Sequence, residues 1–178
     1  MAINRRSVLA AGLALPTVTL TTGCASLGGG SNTGSALAQS KRGMVTSPHE
    51  LASQAGLEVL QRGGNAIEAA IAIGAALTVT YPHFTGLGGD TFLVIGDRTG
   101  KVHSLSGIGQ AAQKPLDYKG SIPVRGPGSA LTAAATVDTW GKAFEYSRAN
   151  WGGKQSWSSL MSRAIQHAAE GFAVTPSQ

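Results

Sequence analysis

The sequence predicts an α+β chain, rich in helix and carrying one β-hairpin. Three observations lead there. Two capped helical stretches follow each other closely between residues 47 and 82. A run of strand formers at 91–95 (TFLVI) is joined by the turn Asp97-Arg98-Thr99-Gly100 to a second run at 101–105, the pattern of an antiparallel pair. Beyond a loop rich in Gly, Pro and Ala over 106–130, helical spacing resumes and holds almost to Gln178.

The first helix opens at Ser47-Pro48-His49-Glu50, which reads as a capping box with proline at the first helical position. Leu51, Ala52, Ala55, Leu57, Val59 and Leu60 give it a broad apolar face, and Gly63-Gly64 stops it. Asn65-Ala66-Ile67-Glu68 repeats the reciprocal cap for a second helix. From 66 to 79 that helix is apolar almost all round, with Glu68 its single charge, so it is expected to lie between other layers. About fourteen residues are too few to span a membrane. A third helix is expected over 131–148, with Ala135, Val137, Trp140, Phe144 and Tyr146 as core candidates. Trp151-Gly152-Gly153 is a break, and Ser156 or Ser158 caps a last helix that runs to Ala169 and stops at Gly171. There are no internal repeats and no second domain boundary.

Ahead of this body, residues 1–24 read as an export signal. A basic start is followed by an apolar stretch over 8–20, the length of a signal-peptide core. Asn4-Arg5-Arg6-Ser7-Val8-Leu9 has the form of a twin-arginine signal; a general secretory signal that happens to hold two arginines is the alternative. Thr21-Thr22-Gly23-Cys24 is similar to a lipobox, which would make Cys24 the lipidated first residue of a mature lipoprotein, although Thr21 replaces the usual aliphatic residue. The small-x-small triplet Ala36-Leu37-Ala38 is a rival cleavage site, far from the apolar run. Residues 25–42 are Gly/Ser-rich and read as a flexible tether.

Composition narrows the function classes. The 178 residues suit one domain plus a leader, and 42% hydrophobic content with 13% charge suits a folded core. The net charge of +5 becomes +3 once Arg5 and Arg6 leave, and the body holds no run of Lys or Arg. A nucleic-acid partner is therefore not expected. The single cysteine excludes an intrachain disulfide.

Gly86-Leu87-Gly88-Gly89 resembles a phosphate loop only superficially. Phosphate loops follow a strand and open a helix, whereas here a helix precedes the glycines and a strand follows. A tight backbone crossing is the expected reason for them. His49, His83, His103 and His167 include no pair at metal-ligand spacing, and neither HExxH nor GxSxG occurs. His49 is placed in a helix's first turn, and no metal ligand is assigned.

Gly43-Met44-Val45, Gly63-Gly64-Asn65-Ala66 and Gly86-Leu87-Gly88-Gly89 occur in the order and spacing of the large chain of gamma-glutamyltranspeptidases. Arg125-Gly126-Pro127-Gly128, Val137-Asp138-Thr139-Trp140 and Ala169-Glu170-Gly171-Phe172 extend the resemblance over about residues 43–174. The chain is thus similar to the N-terminal part of these N-terminal-nucleophile (Ntn) hydrolases, residues 43–178 forming an incomplete portion of that domain. The resemblance implies a four-layer αββα sandwich, of which this stretch supplies helices and one hairpin. It also implies a threonine nucleophile whose own α-amino group acts as base, exposed by autoproteolysis beyond Gln178. No catalytic residue is therefore assigned within the chain. The implied partners are the small chain bearing that threonine and a small-molecule amide substrate, with no metal or organic cofactor and with membrane contact only through a lipid anchor.

One position departs from the family. Transpeptidases resemble one another in placing an arginine after the first hairpin, where it pairs with the substrate α-carboxylate. Here residues 105–112 read LSGIGQAA, and Gln110 is the nearest equivalent. An amide donates a hydrogen bond without supplying charge. The substrate-binding assignment falls on Gln110, against its reading as an ordinary loop residue. The resemblance implies a gamma-glutamyltransferase-like Ntn hydrolase that cleaves or transfers an acyl group from a gamma-glutamyl or related amide; an acylase or amidohydrolase of the same superfamily, or a truncated, catalytically silent fragment, is the alternative.

Overall fold

Asn65 shows how local sequence makes the framework. In the computed structural model its Oδ1 accepts the Ile67 and Glu68 amides at 3.0 and 3.1 Å, while the Glu68 carboxylate takes the Asn65 amide at 2.9 Å. This is the expected reciprocal cap, and it opens α2, Ala66–Thr80. The described residues are 37–40, 43–111, 113–114, 117–130 and 132–175. The export leader, the Cys24 assignment and the tether up to residue 36 lie outside them.

The order is β1 (Leu37–Ser40), β2 (Gly43–Thr46), α1 (Glu50–Gln61), α2, β3 (Thr91–Gly96), β4 (Val102–Gly107), α3 (Thr136–Asn150) and α4 (Trp157–Glu170). α2 is the central helix and packs on α1, α4 and α3; α3 in turn meets β3 and β4. Ala52, Ala55 and Ala76 form a close α1–α2 seam. At Gly56 a Cβ would fall 2.5 Å from the Ile73 side chain, so only glycine allows that approach. Ile71, Val59 and Leu160 are almost fully buried, each worth about 1.5–3 kcal/mol in apolar area removed from water. α1 ends at Gly63, whose φ of 81° lies in the left-handed region.

Four expectations change. The Ser47 capping box does not form: the N-cap is His49, two residues later, and α1 starts at Glu50. Ser47 Oγ instead donates to the His49 carbonyl at 2.7 Å and pairs with Ser53 Oγ. The tether is not free of structure throughout, because 37–40 form β1, antiparallel to β2, with Leu37 opposite Thr46 and Ser40 opposite Gly43. A second hairpin thus joins the one expected. α2 is not sheathed all round; Ala66 and Ala70 are exposed beside β3. α3 starts at Thr136, not at 131, and Val137 points outward, while Thr136, Thr139, Trp140, Ala143 and Ser147 form its buried face.

The α3 start has a non-local cause. Ala135 has no side-chain cap bond, but the Gly89 carbonyl accepts the Ala135 and Thr136 amides at 3.1 and 3.2 Å. A loop 46 residues upstream therefore satisfies first-turn donors that a local cap would otherwise take.

In the β3–β4 hairpin Leu93 faces Leu105 and Ile95 faces His103 on the inner side. Phe92, Val94 and Val102 stand exposed on the outer side. Asp97 Oδ1 closes the turn by accepting from the Thr99 amide, the Thr99 hydroxyl and the Lys101 amide at 2.8, 2.6 and 3.0 Å. Among the described residues no helix is long and apolar enough to cross a membrane.

Candidate functional site

Gln110 sits three residues past β4 and is exposed. The backbone ahead of it is fixed from two directions. Asp90 Oδ1 accepts the Gly109 amide at 2.9 Å and the Thr132 hydroxyl at 3.2 Å. A Cβ at Gly109 would stand 1.9 Å from Thr132 Oγ1 and 2.1 Å from the Ala133 carbonyl, so the 132–133 backbone lies directly against it. Beneath this, a Cβ on Gly107 would collide with Thr139 Oγ1 at 1.8 Å. Three segments, 89–90, 107–110 and 132–136, meet here at backbone distance, and the Thr136 hydroxyl adds a 2.8 Å bond to the Gly89 carbonyl.

The glycine loop before this junction does not behave as expected. A Cβ on Gly86, Gly88 or Gly89 would meet nothing within 4 Å, and none of the three has a positive φ. The close crossing occurs at Gly107 and Gly109 instead. The loop is held by Thr85, whose hydroxyl donates to the Leu77 and Tyr81 carbonyls at 2.7 and 2.9 Å. Tyr81, His83 and Phe84 stack beside it.

Gly63-Gly64-Asn65-Ala66 proves to be structural. Asn65 Nδ2 donates to Ser147 Oγ at 2.8 Å and to the Trp151 carbonyl at 3.3 Å. The fully buried Glu68 carboxylate accepts the Gln155 amide at 2.8 Å. At Gly64 a Cβ would lie 2.6 Å from Val59 Cγ1. The motif ties the α1–α2 connection to the α3–α4 connection, and its buried anion rests on backbone N–H groups at the positive end of a helix.

The histidines are separated. His49 is buried as the N-cap of α1, its Nδ1 accepting the Leu51 amide at 3.2 Å. That bond leaves the proton on Nε2, which has no partner among the described residues. A metal ligand would need that nitrogen bare. Burial, then the charge of His167, lowers the His49 pKa below its usual value, and Glu50 opposes them. Its ring lies edge-on to Phe172 at 5.8 Å. His103 packs on Tyr146. Among the described residues no three His, Cys, Asp or Glu side chains gather into a metal site.

Two hollows lie away from Gln110. A cleft of about 930 Å³ runs between the β3–β4 turn and the α1–α2 connection, past Met44, Asn65, Arg98 and Trp151. A second, of about 440 Å³, lies between α1 and α4 beside His49 and His167. Neither borders the Asp90–Gly109 junction, and Gln110 itself is exposed.

The arrangement, helices backing a hairpin whose end carries the candidate side chain, is that of an Ntn hydrolase large-chain segment. The gamma-glutamyltranspeptidase family profile matches residues 52–178, and the chain belongs to this family. It is 43% identical over 143 residues to the oxamate amidohydrolase proenzyme of Klebsiella pneumoniae, covering 78% of this chain and 27% of that protein. It is equally 43% identical over 141 residues to the glutathione hydrolase-like YwrD proenzyme of Bacillus subtilis, covering 76% and 26%. Among solved structures, Helicobacter pylori gamma-glutamyltranspeptidase superposes with a TM-score of 0.63 at 31% identity, covering 79% of this chain and 41% of that one. The cephalosporin acylase of Bacillus halodurans gives 0.62 at 34%, covering 71% and 24%. The chain spans about a quarter of the length of these two curated relatives.

Proposed function

We propose that this chain is the N-terminal part of a gamma-glutamyltranspeptidase-like Ntn hydrolase that cleaves a small amide, with hydrolysis favoured over glutamyl transfer. The observation that carries this reading is Gln110. It stands exposed next to a fixed backbone and is the nearest equivalent, on the family resemblance, of a carboxylate-binding arginine; residues 105–112 hold no cation. A guanidinium grips a carboxylate through two charged bonds. An amide offers a neutral donor and acceptor, suited to an amide or carbonyl oxygen or to a short acid without a glutamyl α-carboxylate. One relative at 43% identity is named an oxamate amidohydrolase and another at 43% a glutathione hydrolase-like protein; both names support amide hydrolysis, and the choice of a small amide rests on Gln110 alone.

In this reading the reacting threonine comes from a second, smaller chain. Its hydroxyl attacks the amide carbon, its α-amino group takes the proton, and the amine or ammonia leaves before water releases the acyl group. Those relatives are named proenzymes, which supports a partner made by cleavage of a precursor. The experiment compares kcat/KM of the complete gene product for ammonia release from oxamate and for release of aniline from a γ-glutamyl anilide. The amide is expected to lead by about tenfold or more; the reverse order overturns the reading. Gln110→Arg is expected to narrow that gap.

We also propose that residues 1–24 export the chain and that Cys24 is lipidated, placing the domain in the cell envelope. Support comes from the arginine pair, the apolar stretch and Gly23-Cys24. The position of β1 adds to it: cleavage after Ala38 would cut the strand Leu37–Ser40 in two. Mass spectrometry of the mature protein is expected to find a diacylglyceryl Cys24 at the N-terminus. An N-terminus at Gln39 rules the anchor out.

A further inference from the structure

We infer that Asp90 is a positioning residue for Gln110, and this inference rests on the reading of Gln110 as a substrate contact. Asp90 lies immediately before β3, and Gln110 follows β4, so the two mark the open end of one hairpin. Both of Asp90's bonds fall on Oδ1. One fixes the amide directly preceding Gln110, and the other fixes Thr132, whose own backbone neighbour Ala133 presses on Gly109. Gly109, the residue ahead of Gln110, therefore has a carboxylate on one side and a polypeptide backbone on the other. Its chain direction is set before any ligand arrives.

That geometry matters more for a glutamine than for an arginine. A neutral amide makes one or two directional hydrogen bonds and has no long-range attraction to draw a substrate in. A misplacement of about 1 Å can forfeit most of its effect. A recognition amide on an exposed loop needs its backbone held from outside the loop. Asp90 is the side chain that does so: a charged acceptor strengthens the Gly109 N–H bond relative to a neutral one, and it reaches across 19 residues to one partner and 42 to the other.

The Asp90 carboxylate has no reacting atom to serve in this scheme. It acts through Gln110, which fixes what its variants should do. Asp90→Asn keeps a side-chain oxygen that can accept both bonds, whereas Asp90→Ala removes the acceptor.

The test uses the complete gene product with oxamate as the probe, together with hydrogen exchange of the 105–112 segment. Asp90→Ala is expected to quicken exchange of the Gly109 amide by about tenfold and to raise KM about fivefold with kcat within about twofold. Asp90→Asn is expected to restore KM to within about twofold of the parent. The double variant Asp90→Ala/Gln110→Ala should be no worse than Gln110→Ala alone, because one effect runs through the other. Unchanged exchange in Asp90→Ala, or losses that multiply in the double variant, overturn the positioning role. If Gln110→Ala leaves KM untouched while exchange at Gly109 still quickens, the substrate-contact reading has failed and the positioning role falls with it. The backbone clamp alone then stands.

Discussion

Glu68 and Gln155 are 87 residues apart in sequence, and the buried carboxylate of one accepts the backbone amide of the other at 2.8 Å. With no ion pair among the described residues, Glu68 is held by this amide and that of Asn65. Glu68→Gln would turn one of its oxygens into an NH₂ group facing a backbone donor. A loss of about 2–3 kcal/mol in unfolding free energy is expected, measured by urea denaturation. Exposed Gln54→Ala serves as the control and should change little.

His49 makes acid a threat to α1. Its folded pKa is lowered, by burial first and by His167 next, so the unfolded chain binds the proton more readily. The stability contributed by the neutral ring is complete above the unfolded value of about 6.5. It is lost as pH falls through the lower folded value. Melting temperature should therefore drop from pH 7.5 to 5. His49→Asn, which keeps a capping oxygen without titrating, should flatten that slope; an unchanged slope would assign the acid sensitivity to other groups.

Arg163 bridges α4 to α1 through both Glu58 oxygens, its Nε donating at 2.9 Å. The hydrogen bond and charge of Glu58 raise the guanidinium pKa, but both side chains are partly open to water. Arg163→Ala should cost no more than about 1 kcal/mol, and the loss should shrink in 1 M salt. A larger, salt-independent loss would mean that the aliphatic stem, not the charge, carries the contact.

The glycines divide into two groups with opposite expectations. Gly109→Ala puts a methyl group onto the Ala133 backbone and should destabilise by about 2 kcal/mol or more. Gly86→Ala and Gly88→Ala meet open space and should fall within about 0.5 kcal/mol of the parent or slightly above it. Thermal unfolding of the three variants checks both halves. A marked loss at Gly88 in the assembled protein, absent in this chain alone, would reveal close approach by a further polypeptide.

Features carried by short-range chemistry were legible in the sequence. Asn65 and Glu68 announce their cap three residues apart, and the hairpin shows in its strand formers and Asp97–Gly100 turn. Features carried by distant partners were not. The start of α3 depends on the Gly89 carbonyl, and the clamp at Gly109 depends on Asp90, neither of which leaves a periodic trace. His49 took over a cap that Ser47 seemed placed to supply, because the serine hydroxyl found the His49 carbonyl and Ser53 instead. β1 escaped notice because four residues, LAQS, beside a Gly/Ser-rich stretch carry too little alternation to mark a strand. Gln110 was legible as a departure from a family pattern, and its fixed backbone was not.

The knot around Gly64 and Asn65 carries a lesson for sorting related genes. Its hydrogen bonds are mechanical: they fasten two helix connections. Descendants can exchange one reaction for another and still need it, so shared possession of those four letters groups proteins by architecture. If the proposed role of Gln110 holds, the residue that the hairpin presents at position 110 is the one to read when sorting them by what they digest.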